Sequence, residues 1–115
     1  MSAYSAYIEI NIKEDMPTVA EAMQYLQSEL ERLRRNKYKC VQIVHGYGSS
    51  GKGGAICIKA RQWIKAQEQK GKIKAVVFGE DFTIFNATAR ELKNHYPELA
   101  QLLTVCNHGV TVIEL

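Results

Sequence analysis

A loop rich in glycine is the part of this sequence that most strongly suggests chemistry. The segment "VQIVHGYGSSGKGG", residues 41–54, ends an apolar run at His45 and then places five of the chain's eight glycines within nine residues. Glycine lets backbone N–H groups turn toward an anion, and a helix that follows presents its positive N-terminal end at the same place. We therefore expect this loop to bind an anion such as phosphate. The alternative is a long strand-to-helix connection in which the glycines only fit the turn.

The loop partly matches a nucleotide-binding pattern. Residues 46–52, "GYGSSGK", satisfy the first seven positions of GxxxxGK[ST], but Gly53 stands where a Ser or Thr hydroxyl would hold magnesium. Asp81 follows the strand "VVFG" too late to serve as a magnesium ligand at a strand end. The pattern therefore disfavours a nucleoside triphosphatase, and we predict no bound metal, while the anion-binding prediction for the loop stands.

Positive charge is concentrated in the middle of the chain. Twelve of the fifteen basic residues lie between Arg32 and Lys74 with a single acid, Glu68, whereas the rest carries three basic residues and eleven acids. This distribution favours a positive face for a polyanion, because each phosphate that is neutralised releases counterions. The alternative is a set of solvated surface side chains. The basic residues that we expect to bind, besides Lys52 in the loop, are Arg34, Arg35, Lys37, Lys59 and Arg61.

Alternating strands and helices must position these residues. Residues 6–12 alternate apolar and polar positions as a half-buried strand does, and a single apolar stripe after the capping box of Thr18 and Glu21 is typical of an amphipathic helix. The predicted elements are a strand over 6–12, a helix over 18–35, a strand over 38–45, a helix that ends before Gly71, a strand over 72–79, a helix over 86–95 and a last strand within 107–115. This order predicts an α/β fold, a two-layer sandwich of a four-stranded mixed sheet with helices, in the order β-α-β-α-β-α-β.

Length and composition limit the class of protein. A chain of 115 residues is expected to form one domain, and no apolar run approaches the roughly 20 residues of a membrane helix. We also expect no signal peptide and no membrane partner. The three cysteines are widely spaced and form no CxxC pair, which is typical of reduced thiols in a cytoplasmic protein.

Several segments together resemble the Smr domain, the small MutS-related module. "VQIVHGYG", "GGAICIKARQWI" and "HGVTVIEL" are similar, in order, to the family's strand ending in HG.G, its GGxLxxxVxxWL helix and its closing GxTVVEL strand. "PTVAEAMQYL" looks like the family's first helix. The resemblance implies a single Smr-like domain over residues 1–115, a helical insertion at 81–103, and DNA or RNA as the ligand.

The first strand departs from the family pattern. That strand usually reads LDLHG, and its Asp and His are suspected of serving the nuclease activity of some members. Here it reads "IEINIKED", so one register places Glu9 and Asn11 at those positions and another places Asn11 and Lys13 there. Neither register restores the pair, and Tyr47 stands where the glycine loop commonly carries a lysine.

We therefore predict a nucleic-acid-binding domain that holds phosphates through the glycine loop and a basic face, with no cofactor required. Tyr47 is either a residue that stacks on a base or one that only packs. The predicted binding residues are His45, Gly46, Tyr47, Gly48, Ser49, Ser50, Gly51, Lys52, Gly53, Gly54, Lys59, Arg61, Arg34, Arg35 and Lys37.

Two other classes of function stay open. The first is a DNA-nicking or RNA-cleaving endonuclease with Glu9, His45 and Lys52 as its catalytic candidates, for which a divalent metal would be a cofactor. The second is a module that binds a protein or a small anion. His45 has its own alternative, because a histidine at the end of a strand can simply bond to its own backbone.

Overall fold

Strands and helices alternate in the computed structural model, which describes residues 5–47 and 54–115. The elements are β1 Tyr7–Asn11, α1 Val19–Arg35, β2 Cys40–Val44, α2 Gly54–Gln69, β3 Ala75–Phe78, α3 Ala87–His95 and β4 Val110–Glu114, with 3₁₀ segments at Gly79–Asp81 and Pro97–Thr104. The predicted α/β class and the predicted order of elements are confirmed. Each helix within these ranges is too short or too polar to cross a lipid bilayer.

Local capping sets the start of two helices. The Thr18 hydroxyl accepts the N–H of Glu21 at 3.1 Å, and the Glu21 carboxylate accepts the N–H of Thr18 at 2.9 Å, which completes the predicted capping box of α1. The Asn86 side chain accepts the N–H of Ala89 at 2.9 Å and opens α3. The apolar stripe of α1 is buried, as the periodicity predicts.

The four strands form one mixed sheet in the order β1-β2-β4-β3. β1 and β2 are parallel, and β4 runs antiparallel to both of its neighbours, β2 and β3. Consequently β1, β2 and β3 all finish at the end of the sheet where β4 begins. We call this end of the sheet the loop end, because the glycine loop leaves β2 there. We call the opposite end, where β1, β2 and β3 begin, the far end.

Helices cover both faces of the sheet. On one face α1 and α2 pack on strand residues such as Ile10, Val41 and Ile113. On the other face Val112 lies in one buried apolar cluster with residues of α3 and of the Pro97–Thr104 segment. The predicted four-stranded mixed sheet is confirmed. The fold has three layers where two were predicted, because α3 and the Pro97–Thr104 segment cover the second face of the sheet.

Candidate functional site

The glycine loop starts from a tightly fixed backbone. The N–H groups of His45 and Gly46 both donate to the Gly109 carbonyl at 3.0 Å, so the first residues of the loop are held against the start of β4. Gly46 has φ +76°, a conformation that favours glycine. Residues 48–53, which include the predicted Gly48, Ser49, Ser50, Gly51, Lys52 and Gly53, lie outside the described residues, so the phosphate cradle stays a prediction.

His45 lies inside the protein, 1% exposed. Its Nδ1 donates to the Gly46 carbonyl at 2.8 Å, since a carbonyl can only accept. Its Nε2 therefore accepts the hydroxyl of Thr111 at 2.8 Å. Burial lowers the pKa of His45 below its ordinary 6.5, and the nearby charge of Arg61 adds to this, although the Gly46 bond opposes it. A neutral His45 is thus buried and links the Gly46 carbonyl at the start of the loop to the Thr111 hydroxyl on β4.

Arg61 also points inward. Its guanidinium donates to both carboxylate oxygens of Glu80, at 2.7 and 2.8 Å, and its Nε donates to Thr111 Oγ1 at 3.0 Å. It also donates to the Val110 carbonyl at 3.0 Å and lies 4.2 Å from the centroid of the Phe78 ring. Burial alone would raise the pKa of Glu80, but the bonds from Arg61 hold that pKa below its ordinary value. Arg61 therefore ties α2 to the loop ends of β3 and β4.

These contacts join into one continuous network from Glu80 through Arg61, Thr111 and His45 to the Gly46 carbonyl. No buried side-chain nitrogen or oxygen in the described parts of the chain lacks a hydrogen-bond partner. A fully satisfied network of this kind makes the surrounding backbone rigid. The network and the bonds to the Gly109 carbonyl hold His45 and Gly46, the described start of the loop, and they already occupy His45 and Arg61.

Lys13 is a neighbour of the loop that sequence reasoning left out of the predicted site. A Cβ added to Gly46 would lie 2.8 Å from Lys13 Cδ, so the lysine stem passes directly over this glycine. The Lys13 side chain is exposed, and the Lys13 backbone N–H donates to the Asn11 side-chain oxygen at 2.9 Å. In the sequence, Lys13 drew attention only because one of the two alignments with the LDLHG motif places it at the position of the family's His. The contact itself requires the parallel pairing of β1 with β2, which places both strand ends together.

An exposed aromatic pair lies at the same end of the sheet. Tyr47 is 60% exposed, and its ring centroid is 5.0 Å from that of His108, with the two rings tilted by 54°. His108 was not among the predicted binding residues, because it is 61 positions away in the chain and meets Tyr47 only through the pairing of β2 with β4. The pair offers an apolar surface on which a flat ring can stack.

The outer face of α2 connects the two ends of the sheet. The helix begins at the loop end and runs to the far end, with exposed positions at Ala55, Ile58, Lys59, Gln62, Lys65 and Gln69. The acid of this helix, Glu68, is paired with Lys65 at 2.9 Å. The face is therefore neutral or positive along its length.

A group of exposed basic residues lies at the far end, and we call it the far-end cluster. Its members are Arg34, Arg35, Lys37, Lys39, Lys70, Lys72 and Lys74. The Arg34 guanidinium donates to the Lys72 carbonyl, which joins the end of α1 to the segment after α2. From Lys39 to His45 the chain takes six steps along β2, about 20 Å. The structure therefore separates Arg34, Arg35 and Lys37 from the loop, whereas Lys59 lies on α2 between them.

The catalytic candidates do not come together. Glu9 lies opposite Gln42 in the sheet, and His45 is three residues further along β2, about 10 Å away and on the other face. Lys52 falls outside the described residues. Across residues 5–47 and 54–115, no three side chains of His, Cys, Asp or Glu are grouped so that they could hold a metal.

Comparison with known protein families matched the Smr domain over residues 15–80. The matched range is more than half of the chain and extends from the turn after β1, through α1, β2 and α2, to Glu80 after β3. No curated protein and no solved structure matched the sequence.

Proposed function

The chain belongs to the Smr domain family, and we propose that it binds DNA or RNA along a track formed by the loop end, the outer face of α2 and the far-end cluster. The family is associated with nucleic-acid binding and nuclease activity. The observation that carries the proposal is that the outer face of α2, which exposes Lys59 and Lys65 and whose one acid, Glu68, is paired with Lys65, joins the loop end to the exposed Lys70 and Lys72.

At the loop end we propose three kinds of contact with the nucleic acid. Backbone N–H groups of the loop and the start of α2 would face phosphate, while Lys13 brings a cation beside Gly46. The exposed rings of Tyr47 and His108 would stack on an unpaired base. His45 and Arg61 contribute indirectly, because their network holds the loop and the start of β4 in place.

The dimensions of the track set the length of the ligand. α2 has 16 residues, which corresponds to about 24 Å of helix. Successive base pairs are about 3.4 Å apart, so a ligand that touches both ends must span about seven base pairs. Shorter duplexes would contact only the loop end or only the far-end cluster, and would bind more weakly.

The proposal does not extend to cleavage. General-base chemistry on a phosphodiester needs a base within reach of the attacking water. The described candidates, Glu9 and His45, lie on opposite faces of the sheet, and both ring nitrogens of His45 are hydrogen-bonded. Binding is therefore the function that the geometry supports best.

A charge-neutralisation experiment tests the track. The variant Lys59→Gln/Lys70→Gln removes two cations from the track, and its matched control, Arg90→Gln/Lys93→Gln, removes two from α3 on the opposite face. Fluorescence anisotropy with a labelled duplex of about 12 base pairs would measure affinity at several salt concentrations. We expect the track variant to bind more weakly, with a salt slope lower by about one for each lost phosphate contact, and the control to bind like the parent. Equal losses in both variants, or no loss in the first, would refute the track.

A further inference from the structure

β1 is an edge strand with one open side. Among the described residues it pairs only with β2. The Ala6 carbonyl accepts the N–H of Cys40 at 3.0 Å, and the N–H of Ile12 donates to the Val44 carbonyl at 2.9 Å. Because the backbone groups of a strand alternate in direction, the even-numbered residues of β1 point toward β2.

The odd-numbered residues of β1 consequently point their backbone groups away from the sheet. The N–H of Tyr7 donates to the Ser5 hydroxyl at 3.2 Å. The N–H and C=O groups of Glu9 and Asn11 lie along the open edge. An edge of this kind is the template to which an extended peptide adds as a further strand.

A groove of about 660 Å³ runs along this edge. One wall is β1 itself, from Ile8 to Ile12, and the other is the flank of α1, including Ala22 and Tyr25. Tyr25 is 47% exposed, so an apolar surface is available beside the strand. A strand added about 4.8 Å from β1 would lie over this flank and continue the sheet.

The charge of the groove selects its occupant. Its lining carries five carboxylates and one guanidinium, and that guanidinium, from Arg32, is paired with Glu29 at 2.7 Å. The remaining acidic residues are Glu14, Asp15 and Glu21, and Glu9, whose backbone lines the open edge while its side chain lies on the face of β1 away from α1. A basic strand complements this lining. A second copy of the chain does not, because antiparallel pairing of two β1 strands about Glu9 would place two carboxylates opposite each other.

We propose that the open edge of β1 and its acidic groove bind an extended basic segment of a partner protein, which adds to the sheet as a fifth strand. The backbone of Glu9 and Asn11 supplies the pairing, and the carboxylates select lysine or arginine at alternate positions of the segment. This surface does not depend on the nucleic-acid track and can be tested without it.

The test uses a synthetic probe and two variants at one position. The probe is a peptide of about seven residues that alternates lysine and valine, and its control alternates glutamate and valine. Glu9→Pro removes the outward N–H while it leaves the bonds from β1 to β2 intact, and Glu9→Gln removes only the charge. We expect the lysine peptide to bind and to slow amide exchange at Glu9 and Asn11. Glu9→Pro should weaken binding by about tenfold or more, and Glu9→Gln by about threefold.

Any one of the following outcomes would overturn the proposal. Parent-like binding by a folded Glu9→Pro variant would mean that the edge is not used, and equal binding of the glutamate peptide would remove the charge selection. A dimer of the parent that Glu9→Pro abolishes would assign the edge to a second copy. If Glu9→Pro unfolds, a lysine–valine peptide N-methylated at alternate amides replaces it, and binding of that peptide equal to the unmodified probe would refute strand addition.

Discussion

Replacing Arg61 by methionine removes the guanidinium from the network at the loop end and keeps the apolar stem. In the folded protein this group donates to Glu80 at 2.7 and 2.8 Å, and to Thr111 Oγ1 and the Val110 carbonyl at 3.0 Å each. After the substitution the Glu80 carboxylate loses its cation, and the acceptors on β4 lose a donor. We therefore expect Arg61→Met to destabilise the fold strongly.

The exposure of the two side chains sets the magnitude. The Arg61 side chain is 14% exposed and that of Glu80 is 23% exposed, so the pair is mostly out of water. Removing one partner of a buried pair costs about 3–5 kcal/mol, whereas an exposed pair contributes about 0–1 kcal/mol. We expect the free energy of unfolding to fall by about 2–4 kcal/mol. Glu80→Gln should cost about 1–2 kcal/mol, because the amide oxygen still accepts one hydrogen bond.

Urea denaturation followed by the fluorescence of Trp63 would measure these changes. Lys59→Met on the exposed face of α2 is the matched control and should stay within about 0.5 kcal/mol of the parent. The double variant Arg61→Met/Glu80→Gln should lose less than the sum of the single losses, with a coupling of about 1–3 kcal/mol. The network account is refuted if Arg61→Met costs no more than the control, or if the two single losses simply add.

Three further predictions concern His45, Tyr47 and Gly79. Because burial lowers the pKa of His45 below 6.5, the unfolded chain binds the proton first, and the free energy of unfolding should fall as pH drops below about 6.5. Urea titrations from about pH 7 to about pH 5 should show this slope in the parent but not in His45→Gln; identical slopes would contradict it. Tyr47→Ala should weaken binding by about 1–3 kcal/mol for single-stranded ligand only, as measured by anisotropy, and an equal loss on duplex would argue against stacking. A Cβ at Gly79 would lie 1.9 Å from the Asn107 carbonyl oxygen, so Gly79→Ala should lose about 2–3 kcal/mol in thermal unfolding, and a parent-like midpoint would show that the backbone adapts.

Features set by neighbours in the chain were predictable from the sequence. The capping box at Thr18 and the apolar stripe after it identified α1, and Asn86 identified the start of α3. The alternating order of strands and helices indicated the α/β class and the mixed sheet. These predictions succeed because periodicity and capping depend on residues three or four positions apart.

Features set by distant pairing were not predictable. Arg61 follows the buried Ala60 on α2, and nothing local indicates whether it faces solvent or turns toward Glu80, 19 residues later. The contact of Lys13 with Gly46 depends on the register of β1 against β2. The basic residues between Arg32 and Lys74 form one block in the sequence. In the fold, Arg34, Arg35 and Lys37 lie at the far end of the sheet, whereas Arg61 lies at the loop end.

The most direct test of the proposed nucleic-acid track is a backbone amide NMR titration with a duplex of about 12 base pairs. We expect the resonances of the loop end, the outer face of α2 and the far-end cluster to shift together and to saturate at one ligand concentration. The shifts should also diminish as salt is raised, since phosphate contacts release counterions. Shifts confined to α3 or to the edge of β1, or no shifts at low salt, would contradict the proposed track.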